Sequence, residues 1–138
     1  MLDSDIGILL IEDDRVDIMT VQRAFRKNNV GNPLYIARTG VEALGMLKGV
    51  GHEKINPPPG LILLDLNLPR MSGIEFLEKM RSDPELRKIR IIVLTSSNEP
   101  RDREAAFKYE VDDYIVKPHS FEEFNRVIAT VLAFWEND

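Results

Sequence analysis

The sequence predicts a doubly wound α/β domain, in which a five-stranded parallel sheet is covered by helices on both faces. Two observations predict this class. Short apolar runs alternate with amphipathic stretches along the chain, and the strand-like runs are apolar at every position rather than at alternate positions. A strand that is apolar on both faces belongs to a parallel sheet that lies between layers of helices.

Five apolar runs are predicted as strands. The clearest are Ile8–Ile11, Leu61–Leu64 and Ile91–Leu94, each of which is apolar throughout. Tyr114–Val116 is shorter, and Leu34–Ala37 carries the weakest signal. With one helix after each strand, the predicted order is five consecutive βα units.

The intervening stretches carry helix signals. Thr39 and Ser72 each precede a glutamate by three residues, which fits a capping box at the start of a helix. The helix near Pro100–Tyr109 is the least defined, because its apolar content is low. The last helix has apolar residues at spacings of three and four, namely Phe121, Phe124, Ile128, Val131, Leu132 and Trp135.

Length and composition narrow the class of protein. The 138 residues predict one domain over 1–138, with no output domain. A net charge of −5 without a basic run argues against nucleic-acid binding, and the absence of cysteine excludes disulfides and cysteine-rich zinc sites. No apolar run approaches the ~20 residues of a membrane span, and no signal peptide begins the chain. We therefore expect a cytoplasmic protein without a membrane partner.

The segment Gly51–Gly60 contains three consecutive prolines, Pro57-Pro58-Pro59. Because prolines cannot occupy a helix interior, this segment is predicted as a stiff surface connection between the second helix and the third strand. A proline-rich ligand for a small adaptor domain is the alternative interpretation.

Polar side chains stand directly after four of the predicted strands. In open α/β sheets, ligands bind beyond the carboxyl ends of the strands, so we expect these side chains to converge in one crevice. Asp14 has an equally good alternative role as the N-cap of the first helix. The set comprises Glu12, Asp13 and Asp14 after the first strand, Asp65 after the third, Thr95 and Ser96 after the fourth, and Lys117 after the fifth.

This set predicts metal-assisted phosphoryl transfer. Clustered carboxylates repel each other, and one of them stays protonated unless a cation lies among them. Oxygen ligands without histidine or cysteine suit Mg²⁺ or Mn²⁺. A carboxylate held by such a cation and faced by a lysine can attack a phosphoryl group and form an acyl phosphate. Lys117 would then offset the charge on the transferred oxygens, while Thr95 would donate a hydrogen bond to one of them.

Five ordered motifs resemble the receiver domain of two-component response regulators. The resemblance covers residues 6 to about 135 and implies the flavodoxin-like receiver fold. The motifs are Ile-Glu-Asp-Asp at 11–14, Leu-Leu-Asp-Leu-Asn-Leu-Pro at 63–69, Ser-Gly at 72–73, Val-Leu-Thr-Ser at 93–96 and Tyr-Ile-Val-Lys-Pro at 114–118.

The resemblance implies a metal and phosphate site. Asp65 resembles the phosphoacceptor, and Asp13 resembles the carboxylate that binds the cation, Mg²⁺ or Mn²⁺, directly. Glu12 resembles the neighbour that binds the cation through water, and Asn67 would contribute its backbone carbonyl. Gly73 would allow close approach at the start of the third helix.

The resemblance also implies a conformational switch. Thr95 and Lys117 resemble the pair that contacts the phosphoryl group, and Tyr114 resembles the rotating switch aromatic. An ordinary half-buried strand residue is the alternative interpretation of Tyr114. The peptide bond between Lys117 and Pro118 resembles a bond that is cis in this family, although cis is the minority form even before proline.

The implied protein is a signalling switch, whose only catalysis is its own phosphorylation and dephosphorylation. Its partner would be a sensor histidine kinase. The long Gly51–Gly60 connection, the Asp-Leu-Asn-Leu-Pro form and the aromatic last helix resemble most closely the stand-alone regulators of phytochrome-type kinases. We also expect a homodimer through the last helix, because Ala133 and Phe134 fall outside its core-facing stripe.

The chain departs from the family pattern in two places. Glu110-Val111-Asp112-Asp113 replaces a common Gly-Ala before the last strand, and Ser96 replaces a common alanine.

Three alternative functions are weighed against the receiver interpretation. One is a phosphatase of the haloacid-dehalogenase kind, whose nucleophile lies on the first strand instead. The second is a receiver fold that no longer takes phosphate. The third, a phosphohistidine carrier, is disfavoured because neither His52 nor His119 is predicted in the middle of a helix.

Overall fold

The computed structural model of the protein describes residues 6–136, with side chains up to Ala133. Phe134 and Trp135, whose side chains we predicted on the last helix, lie outside the described side chains. In chain order the elements are β1 (Ile8–Ile11), α1 (Arg15–Lys27), β2 (Leu34–Ala37), α2 (Gly40–Lys48), β3 (Leu61–Leu64), α3 (Gly73–Arg81), β4 (Arg90–Thr95), α4 (Pro100–Lys108), β5 (Asp113–Val116) and α5 (Phe121–Glu136).

The strands form one parallel sheet in the order β2-β1-β3-β4-β5, which confirms the predicted doubly wound architecture. β4 is longer than the predicted run and includes Thr95, so this threonine ends the strand instead of following it. Because β3 lies at the centre, between β1 and β4, the residue after β3 has neighbours from both sides. The topology alone therefore makes Asp65 the middle of the carboxyl edge.

Two apolar cores lie on opposite faces of the sheet. On one face, Leu10 and Ile92 pack with residues of α1 and α5 such as Phe25 and Ile128. The opposite face packs against α2, α3 and α4, with Phe76 of α3 fully buried. Alternate residues of each strand enter the two cores, which explains why the strands are apolar at every position.

The predicted helix starts are present. Thr39 accepts a hydrogen bond from the backbone N–H of Glu42 at 3.0 Å, and Ser72 accepts one from Glu75 at 3.2 Å. α4 differs, because its N-cap makes no side-chain hydrogen bond and Ala106 is its one fully buried residue. No helix within residues 6–136 has both the length and the apolar character needed to cross a membrane.

The connection between α2 and β3 packs more closely than a free surface loop. Ile55 is buried in the core and donates its backbone N–H to the Met46 carbonyl at 2.9 Å. Pro57 and Pro58 are exposed, whereas Pro59 is buried. A partner could therefore reach two of the three prolines, which disfavours the adaptor-ligand interpretation.

The turn before β5 differs from the family pattern in its sequence but keeps a glycine-like backbone. Glu110 has a φ of 59°, in the left-handed region that costs a side-chain-bearing residue about 1–2 kcal/mol. The guanidinium of Arg81 supports this turn by donating to the Tyr109 carbonyl at 2.8 Å and the Glu110 carbonyl at 3.2 Å. The same group donates to the carbonyls of Arg87 and Ile89, so it joins the end of α3 to the segments that precede β4 and β5.

We expect Arg81→Ala to lower the free energy of unfolding by about 2 kcal/mol, because several carbonyl groups lose one charged donor. Urea denaturation followed by circular dichroism measures this change. Arg87→Ala is the matched control, since its side chain is exposed and its carbonyl remains an acceptor in the variant. Equal destabilisation by the two variants would contradict the structural role of Arg81.

Candidate phosphoryl-transfer and metal site

The predicted crevice lies at the carboxyl edge of the sheet, where Asp65 follows β3. Its side chain is buried, and its Oδ1 accepts hydrogen bonds from the Thr95 hydroxyl at 2.8 Å and the Asn67 backbone N–H at 3.1 Å. The parallel register sets the place of Asp65, because Leu64 pairs with Val93 of β4 on one side and with Ile11 of β1 on the other. The Asp65 N–H continues the second pairing by donating to the Ile11 carbonyl at 3.1 Å. Two of the four lone pairs of the carboxylate are thereby fixed in direction.

Lys117 occupies the other side of the Asp65 carboxylate. Its Nζ lies 3.1 Å from Asp65 Oδ2 and also contacts Glu12 Oε1. A third carboxylate, Asp17 of α1, places its Oδ2 2.9 Å from the same nitrogen. One ammonium group with three N–H donors therefore has three carboxylate partners.

The acidic side chains form a group that can hold a cation. Glu12, Asp13 and Asp65 each offer a carboxylate oxygen, and these oxygens lie within 4.8 Å of one another. Asp13 is exposed while the other two are buried, so the group opens to solvent on one side. Oxygen donors that open to water fit Mg²⁺ or Mn²⁺, which keep part of their hydration shell. Asp14 is outside this group and caps α1 by accepting from Val16 N–H at 2.8 Å.

The electrostatics of the crevice favour a bound cation. Burial, together with the nearby charge of Asp65, raises the pKa of Glu12 to about 7 against the opposing effect of Lys117. Burial also acts to raise the pKa of Asp65, but the charge of Lys117 and the hydrogen bonds from Asn67 and Thr95 outweigh it, so that this pKa lies below its usual value. Hydrogen bonds to its carboxylate partners hold the pKa of Lys117 above its usual value, although burial opposes the shift. The lowered pKa favours the ionised form of Asp65, and a cation near Glu12 would favour the ionised form of that carboxylate as well.

A chain of hydrogen bonds leads from Asp65 to the β4–α4 loop. Thr95 Oγ1, which donates to Asp65, accepts the backbone N–H of Ser97 at 3.3 Å. The Tyr114 hydroxyl donates to the Ser97 carbonyl at 3.0 Å, and its ring is buried. Ser97 also bonds through its hydroxyl to Asp102 in the first turn of α4. The Tyr114 hydroxyl is therefore tied to the loop that follows Thr95.

Two other expectations have different outcomes. A Cβ on Gly73 would lie 2.6 Å from Leu66 Cα and 2.7 Å from the Asp65 carbonyl, so the expected close approach at this glycine is confirmed. The Lys117–Pro118 bond, whose isomer the sequence alone left open, does not follow the resemblance, because the cis peptide within residues 6–136 is Asn56–Pro57.

The sequence pattern missed Asp17. It stands three residues after Asp14, within the first turn of α1, where acidic residues commonly stabilise the helix dipole. That ordinary role hides its contact with Lys117, which depends on how α1 is rotated against the β5–α5 connection. The spacing from Glu12 could have indicated this contact. Glu12 follows the end of β1 directly, and a residue five positions later lies in the first turn of α1.

Comparisons with known proteins find similar sequences and similar structures. A family model described as the response regulator receiver domain matches residues 8–129. Response regulator Rcp1 of Synechocystis sp. is 34% identical over 128 residues, which are 93% of this chain and 87% of Rcp1. The phosphorylated cyanobacterial phytochrome response regulator RcpA superimposes with a TM-score of 0.88 at 33% identity, covering 95% of this chain and 94% of RcpA. The Mn²⁺-bound form of Rcp1 gives a TM-score of 0.85 at 33% identity, covering 94% and 93% of the two chains.

Proposed function

Because the chain belongs to the response-regulator receiver family, whose members accept phosphoryl groups in two-component signalling, we propose that Asp65 is its phosphoacceptor. The observation that carries the assignment is the position of this carboxylate, between Thr95 on one side and Lys117 on the other. In the transfer from a phosphohistidine, an Asp65 oxygen bonds to phosphorus as the P–N bond of the donor breaks. Lys117 and the Thr95 hydroxyl, which both contact Asp65, would contact the oxygens of the transferred group.

We propose that Asp13 and Asp65 bind Mg²⁺ or Mn²⁺ directly, that Glu12 binds it through water, and that Asn67 contributes its carbonyl. The close grouping of three of these residues supports the proposal, as does the Mn²⁺-bound structure of the similar Rcp1. The cation would offset negative charge on the phosphoryl oxygens. Beyond this self-modification, receiver domains of this family are signalling proteins without an enzymatic activity of their own.

We propose that the donor is a sensor histidine kinase of the phytochrome type, acting in the cytoplasm. The similarity to phytochrome response regulators supports this choice. The test is phosphotransfer in vitro from a panel of autophosphorylated kinases that includes phytochrome-type and other sensors. A rate with the phytochrome-type kinases that does not exceed the rate with the others would contradict it.

The outer surface of α1 suits the docking of that kinase. Val16 and Met19 are 69% and 56% exposed, and they line a cavity of about 490 Å³ together with Phe121. The neighbouring Asp17 contacts Lys117, so this apolar surface adjoins the crevice. A donor histidine must come within bonding distance of Asp65, and apolar side chains next to the crevice can hold its helix there.

Met19→Asp is therefore expected to slow phosphotransfer from the kinase by about tenfold, the factor for roughly 1.4 kcal/mol of lost apolar contact. Phosphorylation by acetyl phosphate should be unchanged, because the crevice is intact. Val41→Asp, at a residue of α2 that is 59% exposed, is the matched control. A loss of both reactions in Met19→Asp, or an equal loss in Val41→Asp, would contradict docking at α1.

We propose that phosphorylation shifts a population between two arrangements of Thr95 and Tyr114. The hydrogen bonds that both residues make to Ser97 support this proposal, because a Thr95 hydroxyl that turns to the phosphoryl group must change its contact with the loop. The signal then leaves through altered partner binding or self-association rather than through nucleic-acid binding.

We also propose that the domain forms a homodimer through α5 and the edge strand β5. A cavity of about 520 Å³ between them is lined by apolar side chains such as Ile115 and Val127 and by polar ones such as Thr130. Thr130→Arg places a long charged side chain in this cavity and should shift the protein towards monomer by at least about tenfold in dissociation constant. Sedimentation of wild type and variant, with and without beryllofluoride, measures the shift. A wild type that stays monomeric at high concentration in both states would end the proposal.

A further inference from the structure

Asp17 is the acidic residue that contacts Lys117 without belonging to the cation group. Its Oδ2 lies 2.9 Å from Lys117 Nζ, and it reaches this nitrogen from the first turn of α1. The Asp17 side chain is 38% exposed, whereas Lys117, Glu12 and Asp65 are 12%, 3% and 7% exposed. It is thus the most solvent-accessible of the three carboxylates around this ammonium group.

The three N–H donors of Lys117 are all engaged in the unphosphorylated state. They meet one carboxylate each, on Glu12, Asp17 and Asp65. A phosphoryl group on Asp65 brings further oxygens to the same place, and Lys117 can donate to one of them only if it gives up an existing partner. The arrival of the phosphoryl group therefore forces a choice among the three contacts.

Of the three contacts of Lys117, the one with Asp17 costs the least free energy to lose. Glu12 is buried, so a loss of its ammonium partner would leave a poorly solvated carboxylate. Asp17 borders a cavity of about 210 Å³ that is also lined by Lys117 and Pro118, where water can replace the ammonium group. Asp65 stays beside Lys117 when it carries the phosphoryl group, so a phosphoryl oxygen competes with the other two carboxylates for the remaining donors.

We propose that Asp17 is a positioning residue that holds Lys117 in the unphosphorylated arrangement and thereby weakens the affinity of the site for a phosphoryl group. This inference rests on the proposed phosphorylation of Asp65. Asp17 stabilises the empty state through its charged hydrogen bond, and that bond is broken when Lys117 turns to a phosphoryl oxygen. Removal of the charge of Asp17 should favour the occupied state.

The test is the affinity for beryllofluoride, which forms a tetrahedral adduct on a carboxylate and stands in for the phosphoryl group. In saturating Mg²⁺, ¹⁹F NMR titration should give a dissociation constant about fivefold lower for Asp17→Asn than for wild type, the factor for about 1 kcal/mol. Asp14→Asn is the matched control. It removes one negative charge from the same helix end, an asparagine still caps the helix, and Asp14 makes no contact with Lys117.

A double-mutant cycle assigns the effect to Lys117. In a Lys117→Ala background, Asp17→Asn should leave the dissociation constant unchanged, because the proposed contact is already absent. Thermal unfolding of each variant verifies that it is folded. An unchanged or weaker affinity in Asp17→Asn would overturn the inference, as would an equal gain in Asp14→Asn or a gain that persists without Lys117. A wild type that binds no beryllofluoride would overturn the assignment of Asp65 itself, which is a different result.

Discussion

Asp65→Asn is expected to abolish phosphoryl incorporation, with a fall in rate of more than about 10³-fold, because loss of the nucleophile removes the covalent step itself. An amide oxygen carries no full negative charge and cannot form a stable acyl phosphate. Incorporation is measured with acetyl phosphate and Mg²⁺, and separately by transfer from a phosphorylated kinase. The base-labile phosphate of the wild type should be absent from the variant.

Asp83→Asn is the control for this experiment. Asp83 is an aspartate with a salt bridge to Lys48 at the far end of α3, so the variant should label like the wild type. Asp65 has two buried polar neighbours, Thr95 and Glu12, so a folding defect is the main alternative cause of lost labelling. Thermal unfolding of the variant tests for such a defect. Full labelling of Asp65→Asn at another residue would refute the assignment.

Asp13→Ala is expected to weaken Mg²⁺ binding by about 100-fold, because a hard cation depends strongly on the number of charged ligands. Asp14→Ala should change the affinity by no more than about threefold, since Asp14 is engaged at the start of α1 and lies outside the cation group. Isothermal titration calorimetry gives both constants. Chelation of divalent cations should stop the phosphorylation of the wild type for the same reason.

The metal-free protein offers an independent check on Asp13. Glu12, Asp13 and Asp65 have oxygens close together, so the removal of one negative charge relieves repulsion when no cation is bound. Asp13→Ala should therefore unfold at a higher temperature than the wild type in the presence of a chelator. Equal Mg²⁺ affinity in the wild type and Asp13→Ala would rule out the ligand role.

Much of the fold could be predicted because buried parallel strands have an unmistakable composition. Leu61–Leu64 is apolar at all four positions, and both faces of this strand enter a core. The grouping of Asp65 with Glu12 and Lys117 followed from topology, because every parallel strand ends at the same edge. The family model that matches residues 8–129 also decides against the haloacid-dehalogenase alternative.

The features that escaped prediction depend on how elements are placed against each other. Asp17 reaches Lys117 only because α1 packs beside α5 and the connection before it. Glu110 keeps a left-handed backbone with the help of Arg81, which is distant in sequence and carries no motif. The burial of Ile55 was hidden in a segment whose prolines suggested an exposed connection. Local pattern cannot reveal such contacts, since each needs the tertiary arrangement.

The most direct test of the account is the chemical location of the phosphoryl group. Protein phosphorylated in the presence of Mg²⁺ is reduced with borohydride, which converts a phosphoaspartate to homoserine, and the modified peptide is sequenced by mass spectrometry. We expect homoserine at position 65 alone, in the peptide that carries the sequence Leu-Leu-Asp-Leu-Asn. Homoserine at position 13, 14 or 17, or phosphorylated protein with an unmodified Asp65, would contradict the central claim.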